Sequence, residues 1–411
     1  MTTTAPTLAR AQDQEARYLM STYRRQPVLL AHGSGTRVWD SEGREYLDLV
    51  AGIAVNVLGH CAAPVRAALE AQAATLVHVS NLYHSEPMLE AARLLVESAF
   101  PARVFFCNSG AEANEAAIKI ARKWGQRHRD GAYGIVCLVD AFHGRTIATL
   151  SATGNEHYLA PFTPALGGFD HVAPDDLAGV AARLRDSAVA VFVEPVQGES
   201  GVHVIDDATL RALRSLCDEN GALLIVDEVQ SGMGRTGRWW AHQHAGITPD
   251  VMTVAKGLGG GVAIGAVLAA PGADVLEPGD HGSTFGGSPL ATAVAAAVLR
   301  TIEAQGLLAR AVSAGARLRA GLLGLAERGL PVAAVRGRGL MLGVALSADL
   351  AAETVAAGLR HGVIVNAIGT RTLRLVPPLT ITDEEVDEAV RRLGRALGDA
   401  VAGAGAEAPA S

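Results

Sequence analysis

The chain has 411 residues, of which 49% are hydrophobic and 19% are charged, and its formal net charge is −7. This composition supports a large buried core and argues against a disordered or coiled-coil protein. The acidic balance and the 4% aromatic content weigh against a nucleic-acid partner or an anionic membrane surface. The four cysteines form no C-x-x-C pair, and no apolar run reaches the roughly 18 residues of a membrane span, so we expect a cytoplasmic protein without a membrane partner.

The first part of the chain differs in pattern from the middle. Residues 28–50 alternate apolar runs with turns, which predicts a β-meander. From about Arg103, short apolar runs alternate with alanine-rich helical patterns, which is typical of a mostly parallel sheet covered on both faces. The strands predicted for this sheet are Arg103–Phe106, Gly134–Val139, Ala188–Val193, Ala222–Val226, Val251–Val254 and Ile264–Ala269.

The last hundred residues mix helices with short strands and end in a helix that follows a Thr382-x-x-Glu385 capping box. We therefore predict an α/β protein with two domains. Residues 72–305 form the large domain, and residues 1–71 and 306–411 together form a smaller α+β domain. Because ligands of such sheets bind where the strands end, the polar and glycine-rich segments after each strand are the candidate site.

The segment after the first of these strands has the features of a phosphate site. Ser109 and Glu112 have the spacing of a capping box, and Gly110 between them would let a ligand approach the backbone. The free N–H groups at a helix N-terminus bind phosphate well. A plain helix cap explains the same residues equally well.

An aspartate and a lysine stand at the ends of two further strands. Asp227 ends a buried run, where a carboxylate needs a cation such as a protonated ring nitrogen, although a capping role or an arginine partner would also satisfy it. Lys256 lies among glycines between two apolar runs. A lysine in such a cleft has a depressed pKa and can form a Schiff base with a carbonyl, whereas the alternative is a surface lysine in a flexible loop.

Phe142 and Arg145 follow another strand. Phe142 could stack on a flat ring, and Arg145 could bind a carboxylate through its planar guanidinium. Taken singly, they could equally be a core aromatic and a surface ion-pair partner. Pyridoxal phosphate, however, would use all of these features together, since it carries a phosphate, a ring nitrogen, a flat ring and an aldehyde.

No metal site is predicted. His242 and His244 are spaced like a metal pair on a strand, but no acidic or cysteine pattern surrounds them, so surface histidines are the preferred interpretation. The glycines at 259–261 lack the strand, helix and following acid of a dinucleotide-binding motif.

With these residues in place, the chain resembles the class-III, ornithine-type aminotransferases over nearly its whole length, and most closely their acetylornithine branch. The resemblance implies the aspartate-aminotransferase fold, which is fold type I of the pyridoxal-phosphate enzymes. The segments that carry it are AGIAVN and LGH at residues 51–60, NLYH at 81–84, NSGAEANEAAIK at 108–119, DAFHGRT at 140–146, EPVQGE at 194–199, DEVQSGMGRTG at 227–237 and AKGLGGG at 255–261.

The resemblance also implies a role for each cofactor-binding residue. Lys256 would hold the cofactor covalently and transfer the substrate proton, and Asp227 would contact the pyridine nitrogen. Thr284 would complete the phosphate site of the partner subunit, so a homodimer with shared active sites is expected. The remaining cofactor contacts would be Gln230 at the phenolic oxygen, Val229 and Phe142 on the two faces of the ring, and Ser109 and Gly110 at the phosphate.

For the substrates, the resemblance implies contacts from Arg145 and Ser283. Glu199 matches a gate glutamate, and Arg374 matches the arginine that binds an α-carboxylate and is its expected partner. The donor would present its distal amine and 2-oxoglutarate its keto end, so one site must bind two different charge patterns. A movable Glu–Arg pair can unmask a cation for one substrate and neutralise it for the other.

The implied reaction converts N2-acetyl-L-ornithine and 2-oxoglutarate to N-acetyl-L-glutamate 5-semialdehyde and L-glutamate, a step of arginine biosynthesis. Other ω-aminotransferases of the same fold remain alternatives, with succinylornithine, ornithine, N-succinyl-diaminopimelate or 4-aminobutyrate as donor. A mutase or racemase using the same cofactor would not need Glu199 and Arg374. A non-catalytic relative would not be expected to keep both Lys256 and Asp227.

Overall fold

The computed structural model describes residues 7–406. Within them the strands, in chain order, are β1 Leu30–Ser34, β2 Arg37–Asp40, β3 Glu45–Asp48, β4 Arg103–Cys107, β5 Gly134–Leu138, β6 Phe169–Val172, β7 Ala188–Val193, β8 Val196–Gln197, β9 His203–Val204, β10 Leu223–Asp227, β11 Val251–Val254, β12 Gly265–Ala269, β13 Val332–Arg338, β14 Met341–Leu346, β15 Val363–Ile364, β16 Asn366–Ile368 and β17 Thr372–Leu375.

The helices of the same residues are α1 Leu8–Tyr18, α2 Ala51–Ala54, α3 Ala63–Ala73, α4 Glu86–Ser98, α5 Gly110–His128, α6 Ile147–Ala152, α7 Glu156–Leu159, α8 Leu177–Asp186, α9 Asp207–Glu219, α10 Pro289–Ala304, α11 Leu307–Glu327, α12 Ala351–Arg360 and α13 Asp383–Ala406. Short 3-10 turns occupy Ala160–Phe162, Ala241–His244 and Lys256–Gly259. Helices and strands alternate through the middle of the chain, as the sequence predicts.

The central sheet has seven strands in the order β4-β12-β11-β10-β7-β5-β6. The six predicted strands all belong to it, with ends that differ from the prediction by one residue at most. Strand β12 runs antiparallel to both of its neighbours, and the other pairings are parallel, so the sheet is mostly parallel. Strand β6 was not predicted, because its sequence FDHV lies at the sheet edge and three of its four residues are only half-buried.

Both faces of this sheet are buried. Helix α5 packs its alanine and isoleucine face on one side, and α8 and α9 pack on the other. Strand β7, AVAVFV, has no exposed residue, which explains its continuous apolar sequence. The carboxyl ends of the parallel strands meet at one edge, and the polar segments follow them there.

The two chain ends meet in space. Strands β1, β2 and β3 form the predicted meander, and β15 from the C-terminal part extends it in parallel with β3. A second sheet has the order β13-β14-β17-β16. Helix α13 begins after the predicted capping box, in which Glu385 N donates to Thr382 Oγ1 and Thr382 N donates to Glu385 Oε2. Helix α3 runs across residue 71, and the domain limits at 71 and 305 stay a prediction.

Within residues 7–406, no single helix is both long and apolar enough to cross a bilayer. Helices α10 and α11 meet that criterion only as a pair, and the pair is bent by 67°.

Candidate functional site

A cavity of about 430 Å³ opens at the carboxyl edge of the central sheet. It brings together segments that are far apart in the chain. Predicted site residues that line it are Ser109, Gly110, Phe142, Arg145, Asp227, Val229, Gln230 and Lys256. The predicted residues Glu199, Ser283, Thr284 and Arg374 lie outside its lining, although three of them contact residues that line it or flank it.

The N-terminus of α5 faces this cavity. Ser109 is the N-cap, and its hydroxyl accepts a hydrogen bond from Glu112 N at 3.2 Å. The return bond of a capping box is absent from this pair, because Glu112 Oε2 instead accepts from Asn108 N at 2.7 Å. Gly110 lies against Val229, so that a Cβ on Gly110 would be 2.7 Å from Val229 Cγ1. A larger residue at position 110 would therefore have to displace Val229 or the start of α5.

Asp227 is the last residue of β10, and its carboxylate is buried with contacts to three other residues. Oδ1 accepts from Val229 N at 2.9 Å, and Oδ2 accepts from Asn114 Nδ2 at 2.8 Å. His143 Nδ1 lies 2.9 Å from the same Oδ2, and this ring stacks on Phe192 with 3.9 Å between centroids. These contacts fix the direction of the carboxylate toward the cavity.

Asn114 and His143 were not assigned a role from the sequence. The position of Asn114 on the buried face of α5 was the available signal, because a buried amide needs a partner. Its Nδ2 also donates to His143 O at 2.7 Å, so that it links two segments that both reach the cavity.

Lys256 follows β11, the strand beside β10, and lines the cavity. Its backbone has a φ of +40°, in a region that side chains other than glycine rarely adopt. Such strain is concentrated at functional sites. Burial lowers the pKa of Lys256 from its usual range, against the opposing charges of Glu199 and Asp227. A lowered pKa favours the neutral amine, which is the form that acts as a nucleophile or a base.

A second buried carboxyl group, Glu194, also lines the cavity and was missed in the sequence. It lies directly after β7, and that strand-end position was the signal that could have identified it. Phe142 N donates to Glu194 Oε1 at 2.7 Å. Burial and the neighbouring Asp227 carboxylate raise the pKa of Glu194 well above its usual range. The raised pKa favours the neutral form of Glu194.

Glu199 and Arg374 form an ion pair next to the cavity, with 2.5 Å between Glu199 Oε1 and Arg374 Nη1. Gln230 touches both, because its Nε2 donates to Glu199 at 3.1 Å and its Oε1 accepts from Arg374 at 3.2 Å. Asn366 Oδ1 accepts two further bonds from Arg374, which is 1% exposed. Burial would raise the pKa of Glu199, but the charges of Arg374 and Lys256 bring it below its usual value.

The remaining predicted residues lie toward the surface. Arg145 is exposed on one side and lines the cavity on the other. Ser283 Oγ accepts from Asn108 Nδ2 at 3.1 Å, next to the N-terminus of α5. Thr284, the neighbour of Ser283, is exposed.

His242 and His244 contact different partners and do not form a metal site together. His242 is buried, with Nδ1 3.0 Å from Glu228 Oε1, and His244 Nε2 lies 3.2 Å from Thr236 O. The preferred interpretation of His242 as a surface residue was therefore wrong, because a buried carboxylate holds it inside. Across residues 7–406, no group of three metal-ligating side chains is found.

The lining suits pyridoxal phosphate by its chemistry. It combines an amine of lowered pKa, a buried carboxylate for a protonated ring nitrogen, and a helix N-terminus whose first residue lacks a Cβ. Phe142 and Val229 both contribute apolar surface to the same cavity.

Comparison with known proteins agrees with this chemistry. The family model "Aminotransferase class-III" matches residues 19–397. Acetylornithine aminotransferases from several organisms are similar to this chain over most of their length. The protein from Caldanaerobacter subterraneus is 47% identical over 94% of this chain and 98% of its own. The protein from Methanopyrus kandleri is 49% identical over 93% of this chain and 97% of its own.

Solved structures agree as well. The ornithine aminotransferase of Toxoplasma gondii has a TM-score of 0.93 at 35% identity and covers 97% of this chain and 96% of its own. The N-acetylornithine aminotransferase of Stenotrophomonas maltophilia has a TM-score of 0.82 at 40% identity and covers 95% of this chain and 99% of its own. The chain therefore belongs to the class-III aminotransferases, which are pyridoxal-phosphate-dependent enzymes of fold type I.

Proposed function

We propose that this aminotransferase transfers the distal amino group of N2-acetyl-L-ornithine to 2-oxoglutarate, giving N-acetyl-L-glutamate 5-semialdehyde and L-glutamate. The observation that carries the proposal is the Glu199–Arg374 pair beside the cavity, since it offers a cation that can be masked or exposed. The curated relatives named above, with 47–49% identity, carry the same activity in their names and support the choice of donor.

The proposal assigns the cofactor to the cavity-lining residues. Ser109, Gly110 and the N–H groups at the start of α5 would bind the phosphate, and Asp227 would hold a proton at the ring nitrogen. Phe142 and Val229 would enclose the ring, with Gln230 at its phenolic oxygen. When bound, pyridoxal phosphate supplies an electron sink that makes a C–H bond of the substrate acidic.

Lys256 would first hold the cofactor and then act as the base. Its lowered pKa favours a neutral Nζ, which can remove the proton from the carbon that bears the donor's distal amine. The same Nζ would return that proton to the cofactor. Asp227 would support this role, because its buried carboxylate would stabilise a protonated ring nitrogen.

The two substrates would be distinguished by charge. With the ion pair closed, Glu199 neutralises Arg374, and the site accepts the end of the donor that carries an amine and no carboxylate. With Glu199 moved aside, Arg374 binds the α-carboxylate of 2-oxoglutarate through its planar fork. Arg145 and Ser283 would contact the carboxylate at the far end of each substrate.

We further propose a homodimer in which Thr284 of each subunit completes the phosphate site of the other. Exposed apolar side chains near Thr284 support an interface there: Phe285 is 64% exposed, and Leu82 and Tyr83 are 83% and 69% exposed. Asn81 joins these segments, since its Nδ2 donates to Ser283 O and Gly286 O.

We also propose that the protein is a cytoplasmic enzyme of arginine biosynthesis. Residues 72–305 would form its large domain, and residues 1–71 and 306–411 would form its small domain.

Ornithine is the second candidate donor. The structural similarity to the Toxoplasma gondii ornithine aminotransferase, at a TM-score of 0.93, favours it specifically. Ornithine carries a charged α-amine where acetylornithine carries a neutral amide, so that the two donors demand different surroundings beside Arg145.

A half-reaction experiment tests the donor. Purified protein with pyridoxal phosphate is mixed with one donor alone, and the visible absorption band of the cofactor is followed; the donors are acetylornithine, ornithine, succinylornithine, N-succinyl-diaminopimelate and 4-aminobutyrate. The proposal expects the fastest loss of the band with acetylornithine and its return on addition of 2-oxoglutarate. Faster loss with ornithine would replace the proposed donor. The variant Lys256→Ala serves as the inactive control, and its absorption spectrum should not change when any of the donors is added.

A further inference from the structure

Within residues 7–406, Arg145 is a cavity-lining cation without an acidic partner. It lines the cavity, yet among the described residues no carboxylate lies within ion-pair distance of its guanidinium. The contacts that the structure gives for this guanidinium are aromatic. Its central carbon lies 3.9 Å from the ring centroid of Tyr158 and 5.5 Å from that of Phe142.

Tyr158 lies in α7, just after the segment that carries Phe142 and Arg145. Its ring meets the ring of Phe142 edge-on, with 6.1 Å between centroids and 85° between planes. The three side chains thus form one packed group, in which Tyr158 contacts both a predicted ring-stacking residue and a predicted substrate-binding cation. Tyr158 was not among the residues predicted for the site.

We propose that Tyr158 is a positioning residue for substrate carboxylates: its ring supports the guanidinium of Arg145 from one face and thereby aims the guanidinium N–H groups into the cavity. The proposal rests on the proposed function, in which Arg145 contacts a substrate carboxylate.

The physical reason lies in the geometry of a guanidinium. Its five N–H donors all lie in the plane of the group, so that an aromatic ring against its face restrains the side chain without using a donor. An acidic partner would restrain it too, but would occupy the donors and cancel the charge. Tyr158 therefore leaves Arg145 both ordered and free to bind a carboxylate at two points.

The test compares the holoenzyme with the variants Tyr158→Leu and Tyr158→Phe. Binding of glutarate, a dicarboxylate without a reactive keto group, is measured by calorimetry, and KM and kcat are measured for 2-oxoglutarate. We expect Tyr158→Leu to weaken glutarate binding and raise KM about 5-fold, the size of a partly buried cation–π contact, with little change in kcat. Tyr158→Phe should match the wild type, because it keeps the ring.

A matched control is Tyr133→Leu. Tyr133 likewise lies beside a guanidinium, with Arg122 5.4 Å from its ring centroid, but neither of these two residues lines the cavity. It should leave glutarate binding and KM unchanged. An equal loss in Tyr133→Leu would mean that any removed surface ring has this effect, and would overturn the proposal.

A double-mutant comparison separates positioning from general structural damage. If Tyr158 acts through Arg145, Tyr158→Leu should have no further effect on glutarate binding in an Arg145→Gln background. Additive losses, unchanged binding in Tyr158→Leu, or no glutarate binding by the wild type would each overturn the proposal. A wild type that binds glutarate but does not transaminate acetylornithine would instead contradict the proposed function and leave the glutarate comparison decisive for Tyr158.

Discussion

Arg374 Nη1 lies 2.5 Å from Glu199 Oε1, and the two side chains differ sharply in exposure. The Arg374 side chain is 2% exposed and is held by Asn366 and Gly198 O as well, whereas the Glu199 side chain is 24% exposed. The guanidinium therefore has acceptors that remain when Glu199 leaves, which lowers the cost of opening the pair. Glu199 is the partner that can move.

The variant Glu199→Ala should change substrate preference more than cofactor binding. Without Glu199, Arg374 stays unmasked, which favours an α-carboxylate over the amine end of the donor. We expect the ratio of kcat/KM for acetylornithine to that for 2-oxoglutarate to fall about 30-fold, as for a lost charge pair of about 2 kcal/mol. Cofactor affinity, measured by titration of the visible band, should change less than 2-fold by the same reasoning. An unchanged ratio would contradict the proposed role of Glu199 as a gate.

The variant Asp227→Asn tests the carboxylate at the end of β10. Asparagine keeps the shape but not the charge that stabilises a protonated ring nitrogen, and its amide cannot accept at both positions that Asn114 and Val229 now occupy. We expect kcat to fall roughly 10²–10³-fold, as for other preorganised electrostatic groups. Asp170→Asn, on the exposed edge strand β6, is the control and should retain activity. Near-normal turnover in Asp227→Asn would contradict the assignment.

The variant Gly110→Ala should weaken cofactor binding. The new Cβ would lie 2.7 Å from Val229 Cγ1, so that either Val229 or the start of α5 must shift. Since the phosphate is proposed to bind at this terminus, we expect the dissociation constant of pyridoxal phosphate to rise about 10-fold or more, which corresponds to about 1.4 kcal/mol. Gly398→Ala in α13, where no atom lies within 4 Å of the added Cβ, should bind the cofactor normally.

Glu194 should make stability depend on pH. The pKa of this buried carboxyl is raised, mainly by burial and then by Asp227, so the folded protein keeps a proton that the unfolded chain loses above its ordinary pKa. Stability from this group is therefore lost as pH rises above the unfolded value of about 4.5.

Glu194→Gln removes this titration and retains an acceptor for Phe142 N. Relative to the wild type, its melting temperature as holoenzyme should rise between pH 5 and pH 8. A constant difference across that range would show that Glu194 is charged in the folded protein. Glu97→Gln, an exposed glutamate that pairs with Arg93, provides the comparison.

Much of the fold follows from local pattern. The strands that carry the site are continuous apolar runs, and a run such as AVAVFV is stable only when both faces are covered. Polar segments after such strands must meet at one edge, which is why Asp227 and Lys256 could be placed near each other. The edge strand β6 was not predicted, because a partly exposed edge strand does not need a continuous apolar sequence.

By itself, the sequence predicted the parallel-rich sheet and a group of residues that pyridoxal phosphate would use together, since these follow from residue type and spacing. It also indicated the family, through the motifs that resemble those of class-III aminotransferases. Only the tertiary structure determined which side chains contact one another in the site. Asp227 meets Asn114 from 113 residues away, and Arg374 meets Glu199 from 175 away. The pKa of Glu194 is raised because folding buries this group and places it beside Asp227. Charge, burial and pKa belong to a position in space, and side chains acquire them only when distant segments pack together.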